Sequence, residues 1–139
     1  MTFKNLNETS ISNINDRSCI IVVNANKKET SMIKNIGRLV GIRDFIFVES
    51  KNGKSTINNI LNNEISDDNE ELWTNKAVIF NNITLLKING FLDSLKKMKI
   101  ARPLSAVVTE TTIDWTLNKL VYNLIQERQA INSGKTLNH

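Results

Sequence analysis

A short glycine-containing stretch, KNGKST at residues 51–56, is similar to the end of a phosphate-binding P-loop. In such a loop an earlier glycine lets the backbone turn, so that successive N–H groups face the phosphates. Gly53, Lys54 and Ser55 match the end of the motif, but Val48 occupies the position of its first glycine. The stretch therefore favours a surface turn that leads into a short helix, and a phosphate or nucleotide sensor is kept as an alternative.

A second candidate site consists of polar residues that follow the predicted strands. In parallel α/β sheets, ligands bind beyond the carboxyl ends of the strands. Here those ends carry amides, hydroxyl groups and one carboxylate, and the predicted ligand-binding residues are Asn24, Asn26, Asn81, Thr109, Glu110 and Thr111. Such a rim suits a small polar ligand, although loops are polar in most proteins.

Residues suited to acid–base, nucleophilic or metal chemistry are few. The single histidine is His139, the last residue, and the single cysteine, Cys19, lies in an apolar segment. One histidine and one cysteine do not supply a zinc site, so we predict no metal, no cofactor and no assigned catalytic residue. If the protein is an enzyme, Glu110 is the candidate for its acid–base group.

Two aromatic residues indicate a different kind of site. On a helix that begins at Ile113, the apolar stripe faces the core and leaves Trp115 and Tyr122 on the opposite face. Large exposed aromatics suggest a partner surface, such as a homodimer contact. Alternatively, the polar N-terminal residues or the acidic segment that contains Trp73 cover them.

Four apolar segments alternate with helical patterns along the chain. The predicted strands are CIIVVN at 19–24, DFIFVE at 44–49, KAVIFN at 76–81 and LSAVVT at 104–109. Apolar residues at helical spacing predict helices over 30–40, 55–62, 85–97 and 113–129. Leu39 and Leu85 belong to these apolar faces, and Gly90 is expected to mark a close backbone contact.

Strands that alternate with helices predict β-α-β crossovers. We predict an α/β fold, a small three-layer sandwich with a mostly parallel four-stranded sheet in the order 2-1-3-4. A ferredoxin-like α+β fold with an antiparallel sheet fits the same succession and stays open. The predicted organisation is a polar arm at 1–17, a single domain at 18–131 with an acidic loop at 64–75, and a frayed tail at 132–139.

Composition fits one folded domain. The chain has 139 residues, of which 40% are hydrophobic and 23% charged, and a formal net charge of +4. The acidic segment 64–75 contains no base, so the rest is more basic, but the basic clusters lack the interleaved aromatics of single-strand binders. Lys96, Lys97, Lys99 and Arg102 are explained by the dipole at a helix end. We therefore do not expect nucleic-acid or membrane binding, and the lone Cys19 favours the cytoplasm.

The C-terminal 55 residues or so resemble a bacterial family known as domain of unknown function 3783. The resemblance is carried by the strand with Val78, Ile79 and Phe80, by the run PLSAVVT at 103–109, and by Trp115-Thr116. It implies a small stand-alone α/β protein without an established activity, substrate or catalytic residue.

Together these features predict a small bacterial protein that is a non-enzymatic binding or protein-interaction module, with a homodimer or another protein as partner. An enzyme that uses Glu110 and a phosphate- or nucleotide-ligand sensor are the alternatives.

Overall fold

The computed structural model describes residues 17–67, 70 and 73–137. The strands are β1 (Cys19–Val23), β2 (Phe45–Val48), β3 (Ala77–Asn81) and β4 (Leu104–Val107). The helices are α1 (Lys27–Val40), α2 (Ile57–Leu61), α3 (Leu85–Lys97) and α4 (Leu117–Leu137), and 3-10 helices cover Ser50–Asn52 and Thr112–Asp114. Most of the predicted polar arm, and His139, lie outside the described residues.

Local chemistry explains where the first helix begins and ends. The Asn26 side chain accepts a hydrogen bond from the Glu29 N–H at 2.8 Å, and the Glu29 carboxylate accepts from the Asn26 N–H at 2.9 Å. This reciprocal pair is a capping box, which satisfies N–H groups that the helix leaves free. Gly41 ends the helix at φ 86°, a left-handed conformation that favours glycine.

The sheet has the order β2-β1-β3-β4, which confirms the predicted α/β fold and strand order. β1 pairs with β2, and β3 with β4, in parallel, but the central pair of β1 and β3 is antiparallel, with Cys19 opposite Asn81. The ferredoxin-like alternative is wrong, because each half of the sheet is a parallel pair. The central antiparallel pair makes the carboxyl ends of the two halves point to opposite ends of the sheet.

Helices cover both faces of the sheet and form two separate cores. On one face α1 and α3 pack against Ile20, Val22, Val78 and Phe80. On the other face α2 and α4 pack against Ile21, Val23, Ala77 and Ile79. The central strands β1 and β3 are buried along their whole length. Unbroken apolar runs of this kind are what a strand covered on both faces requires.

The two halves of the chain are structural repeats. Each runs strand, helix, strand, 3-10 helix and helix in the same order, and they meet about a pseudo-two-fold axis at the central pair. The last helix of each half starts at a threonine, and Thr56 and Thr116 pair in an isolated antiparallel bridge. In that bridge the Ile57 N–H donates to the Trp115 carbonyl at 2.9 Å, and the Leu117 N–H donates to the Ser55 carbonyl at 2.8 Å.

Three local expectations are revised. α4 continues to Leu137, beyond the predicted end at 129 and through most of the predicted tail. Within the acidic segment, Trp73 is 5% exposed and its indole N–H donates to Asn118 at 2.8 Å, so part of the predicted loop belongs to the core. At Gly90, an added Cβ would meet Val40 at 3.4 Å, an ordinary contact rather than an obligatory close approach.

Candidate functional site

The six predicted ligand-binding residues do not form one site. Because β1 and β3 are antiparallel, Asn24 and Asn26 lie at one end of the sheet. Asn81, the last residue of β3, and Thr109, which follows β4, lie at the other end. The expectation of a single polar rim is therefore wrong. It depended on a common strand direction, which the apolar strand patterns do not specify.

At the first end, both asparagines hold the backbone in place. Asn24 has a left-handed φ of 60°. Its side-chain oxygen Oδ1 accepts a hydrogen bond from the Ser50 N–H at 3.1 Å, and its side-chain NH₂ group donates to the Asn75 backbone carbonyl at 2.9 Å. Asn26 caps α1. The amides thus join the ends of strands and helices.

An ion pair links α1 to the start of β3 at this end. Lys76 Nζ lies 2.6 Å from Glu29 Oε1. Partial burial acts to raise the pKa of Glu29, but the hydrogen bond from the Asn26 N–H and the contact with Lys76 outweigh it, so the pKa lies below its ordinary value. Glu29 is therefore held ionised, as a structural acceptor rather than a proton donor.

At the opposite end, the start of the described chain is held by amides and an ion pair. Asn81 is 2% exposed, and its side chain and that of Asn82 both donate to the Arg17 carbonyl. Arg17 contacts both carboxylate oxygens of Asp44, at 2.7 and 3.0 Å. This hydrogen bonding lowers the pKa of Asp44 against the opposing effect of partial burial.

The segment that follows β4 is a turn closed on itself. The Thr109 N–H donates to Thr112 Oγ1 at 2.9 Å, and the Thr112 N–H donates to Thr109 Oγ1 at 3.1 Å. Glu110 and Thr111 lie exposed between them. The Glu110 carboxylate thus lies on the surface and not in a cleft.

The KNGKST stretch is a structural junction. The N–H groups of Asn52, Gly53, Ser55 and Ile57 all donate to backbone carbonyls within the protein. The Gly53 and Ser55 carbonyls accept from Asn118 and Leu117 at the start of α4. A phosphate cradle needs free N–H groups that converge on the ligand, whereas here the four N–H groups are already bonded. The Ile57 N–H and the two carbonyls join the two halves.

Cys19 lies in the centre of the molecule. It is fully buried, and burial raises the pKa of its thiol to about 11. The raised pKa keeps the thiol protonated at neutral pH, and the thiolate is the reactive form of cysteine. Cys19 is therefore a packing residue that behaves as a small apolar side chain. Among the described residues, no group of three histidine, cysteine, aspartate or glutamate side chains is placed to hold a metal ion.

The two aromatics of the predicted interface lie on different elements. Trp115 precedes α4 and is half-buried against the core, with Lys119 Nζ 4.6 Å from its ring centre. Tyr122 lies on α4 and is 41% exposed. The helical-wheel argument fails for Trp115 because the helix starts only at Leu117.

The outer layer of α1 and α3 carries exposed leucines, two of which, Leu39 and Leu85, the sequence patterns had assigned to helix faces in the core. Leu39 and Leu86 are each 84% exposed and Leu85 is 70% exposed. The end of α1 and the start of α3 lie together, since Lys87 Nζ donates to the Gly41 carbonyl at 3.3 Å. We call these three leucines the leucine corner. The sequence held no clear signal for this exposure, because adjacent apolar helix residues such as Leu120 and Val121 both face the core elsewhere in the protein.

Comparisons with known proteins identify the C-terminal half only. Residues 76–131 match the model of a family described as a domain of unknown function (DUF3783). The matched range contains β3, α3, β4 and most of α4, which is one of the two structural repeats. No curated protein and no solved structure matches the chain. None of the described helices is both long and apolar enough to cross a membrane.

Proposed function

We propose that the protein is a non-enzymatic protein-interaction module that associates with a second copy of itself through the leucine corner. The exposure of Leu39, Leu85 and Leu86 carries this proposal. Large apolar side chains grouped on a surface mark interaction sites more often than single exposed ones, because their burial in an interface removes apolar area from water.

The polar residues first considered for ligand binding support the same conclusion. Asn24, Asn26 and Asn81 use their side chains to hold strand ends and a helix start. Catalysis by Glu110 rests on its position alone, and the phosphate sensor would need N–H groups that are already bonded within the protein. An interaction module needs neither a catalytic group nor a phosphate cradle.

A second surface, on α4, is the alternative place for the homodimer contact. Tyr122 is 41% exposed there. An aromatic ring with a polar hydroxyl suits an interface, where part of the ring is covered. Trp115 contributes to this surface only through the part of its ring that the core leaves uncovered.

The setting we propose is the bacterial cytoplasm. The buried single thiol of Cys19 suits a reducing compartment, and the family resemblance is to bacterial proteins.

The test is the mass of the full chain in solution, measured by light scattering over a range of concentrations. We expect a dimer that Leu39→Lys combined with Leu86→Lys converts to a monomer, since burying two charges in the contact is costly. Met98→Lys is the matched control, because Met98 is 52% exposed at the other end of α3. Circular dichroism of each variant checks that it is folded.

Two results would contradict this assignment. A wild-type chain that is monomeric at every concentration removes the homodimer. A dimer that withstands the leucine substitutions but is lost in Tyr122→Lys moves the contact to α4.

A further inference from the structure

Two surface grooves of similar size flank the α1 and α3 layer. The α1 groove encloses about 570 Å³, and cations from both α1 and the chain beyond it line it: Lys34, Arg38 and Arg43. The α3 groove has a volume of about 550 Å³ and is lined in the same way by Lys96, Lys99 and Arg102. Each lining also includes one carboxylate, Asp44 or Asp93, so three cations outnumber one acid in each groove.

The grooves occupy corresponding places in the two structural repeats. Each lies where the first helix of its half ends and the chain turns into the next strand. The turn contains a left-handed residue in both cases, Gly41 at φ 86° and Lys99 at φ 59°. An isoleucine follows immediately, Ile42 or Ile100, and lines the groove. The pseudo-two-fold axis therefore relates one groove to the other.

The groove cations are not used in ion pairs within the described part of the chain. The ion pairs there join Arg17 to Asp44 and Lys76 to Glu29. Asp44 lines the α1 groove, but its carboxylate is already held by Arg17 from outside it. Lys34 Nζ lies 5.4 Å from the Phe47 ring centre and Arg38 donates to Asn35 at 3.3 Å, but neither contact neutralises the cation. The positive charge of each groove is thus available to a ligand.

Helix dipoles explain only some of these cations. Arg38 lies in the last turn of α1 and Lys96 in the last turn of α3, where positive charge stabilises the helix end. Arg43 and Arg102 lie beyond the helices, next to the strands, where the dipole effect has decayed. Each groove therefore carries an arginine that helix stability does not require.

We propose that the two grooves each bind an acidic, partly apolar peptide segment of a partner protein. The cations would pair with carboxylates, and partly exposed apolar residues would contact an aliphatic or aromatic side chain: Phe45 in the α1 groove, Leu92 and Ile100 in the α3 groove. A phosphate backbone would use the cations but not the apolar lining, so the combination favours a peptide over a nucleic acid. The inference rests on the proposal of an interaction module but not on the leucine corner.

The probe is a free fluorescein-labelled peptide, EISDDNEELWTN, which copies residues 64–75 and combines five acids with apolar residues. Its control peptide has the acids replaced by the corresponding amides. We expect two acidic peptides to bind per full-length chain, with an affinity that falls as the salt concentration rises. The amide peptide should bind at least about tenfold more weakly.

Matched variants locate the binding. Arg38→Ala with Arg43→Ala removes two cations from the α1 groove, and Lys96→Ala with Arg102→Ala removes two from the α3 groove. We expect each pair to weaken binding at its own groove about tenfold, so that one peptide remains tightly bound. Lys27→Ala with Lys28→Ala is the control, because both lysines are exposed on α1 outside the grooves.

Three outcomes would overturn the proposal. If the control pair weakens peptide binding as much as the groove pairs do, the overall charge of the protein is responsible for the binding. Equal binding of the amide peptide would remove the role of the carboxylates. Tighter binding of a single-stranded DNA of the same length would assign the grooves to nucleic acid. Light scattering on the same samples reports the dimer separately, so a failure here is distinguishable from a failure of the leucine corner.

Discussion

The two halves of the molecule build the same succession of elements from different residues. The N-cap of the first helix is Asn26 in one half and Thr84 in the other. The N-cap of the last helix is Thr56 or Thr116. A side-chain oxygen that accepts from the third helical N–H is common to Asn26, Thr56 and Thr84. The repeat therefore preserves the capping chemistry at each helix, with different residues at the first helix and threonine at the last helix of both halves.

The halves differ most where the first helix packs and where it meets water. α1 approaches its strand through Gly37, whereas α3 fills the corresponding space with Phe91 and Leu95. The first turn of α1 exposes Lys27 and Lys28, and that of α3 exposes Leu85 and Leu86. The duplicated scaffold is therefore symmetric in its backbone and asymmetric in its surface, which gives it one apolar corner and two related basic grooves.

The largest expected difference concerns the core beneath the two helices. Phe91 is fully buried and meets Phe80 edge-on, with ring centres 5.8 Å apart. Phe91→Ala should lower the free energy of unfolding by about 3–5 kcal/mol, because it leaves a cavity. Ile33→Ala is the matched change in α1. It should lower the free energy of unfolding by a smaller amount than Phe91→Ala, within the range of about 2–5 kcal/mol for such changes. Urea unfolding of both variants makes the comparison, and a larger loss for Ile33→Ala would contradict it.

A smaller effect on stability is expected at two helix glycines, and its sign differs between the two positions. A Cβ on Gly37 would lie 2.8 Å from the Ile42 carbonyl oxygen and would overlap the Phe45 ring. Gly37→Ala should therefore destabilise the protein by about 1–3 kcal/mol, the range for overpacking. Gly90→Ala meets only an ordinary contact with Val40 and should stabilise by up to about 1 kcal/mol through helix propensity.

Thermal unfolding of the two variants measures both changes. Stabilisation by Gly37→Ala would show that α1 can move away from β2, and destabilisation by Gly90→Ala would show that the contact between α1 and α3 is tighter than its distance indicates.

The smallest effect concerns the ion pair that anchors the N-terminal half. Because Arg17 lowers the pKa of Asp44 in the folded protein, the stabilisation is complete above the carboxyl's unfolded pKa and is lost as pH falls through its lowered folded pKa. Asp44→Asn should cost up to about 1 kcal/mol at neutral pH, since both side chains are partly exposed. Stability curves of the variant and wild type should converge in acid.

Asp93→Asn is the control for this pair, because Asp93 is an exposed acid in the C-terminal half. It should change stability by less than about 0.5 kcal/mol. A cost for Asp44→Asn that does not shrink as pH falls would mean that the amide disturbs packing rather than the ion pair.

Much of the fold is predictable from local patterns. The strand segments are unbroken apolar runs, and the helices follow from apolar spacing. The cap at Asn26 was not predicted, since that residue was assigned to ligand binding. Strand order also follows, since each crossover is short enough to place its two strands side by side. The end of α4 was missed because the residues beyond 129 lack an apolar stripe, which was the signal used for helices. A helix that has already begun can continue without such a stripe.

The candidate site was much less predictable. Six polar residues at strand ends were expected to converge, but the direction of β3 against β1 separates them. An apolar strand covered on both faces has the same pattern whichever way it runs, so the sequence contains no signal for that choice. The groove cations were visible as a basic patch in α3, but their counterparts Arg38 and Arg43 are brought into a related groove only by the fold.

Local sequence patterns specify the succession of elements, the buried thiol and the scarcity of catalytic groups, because these depend on neighbouring residues along the chain. Tertiary packing sets the antiparallel centre, the pairing of Thr56 with Thr116 and the exposure of the leucine corner. Those features depend on contacts between residues far apart in the chain, whose free energies are set by packing of the whole molecule rather than by any local pattern.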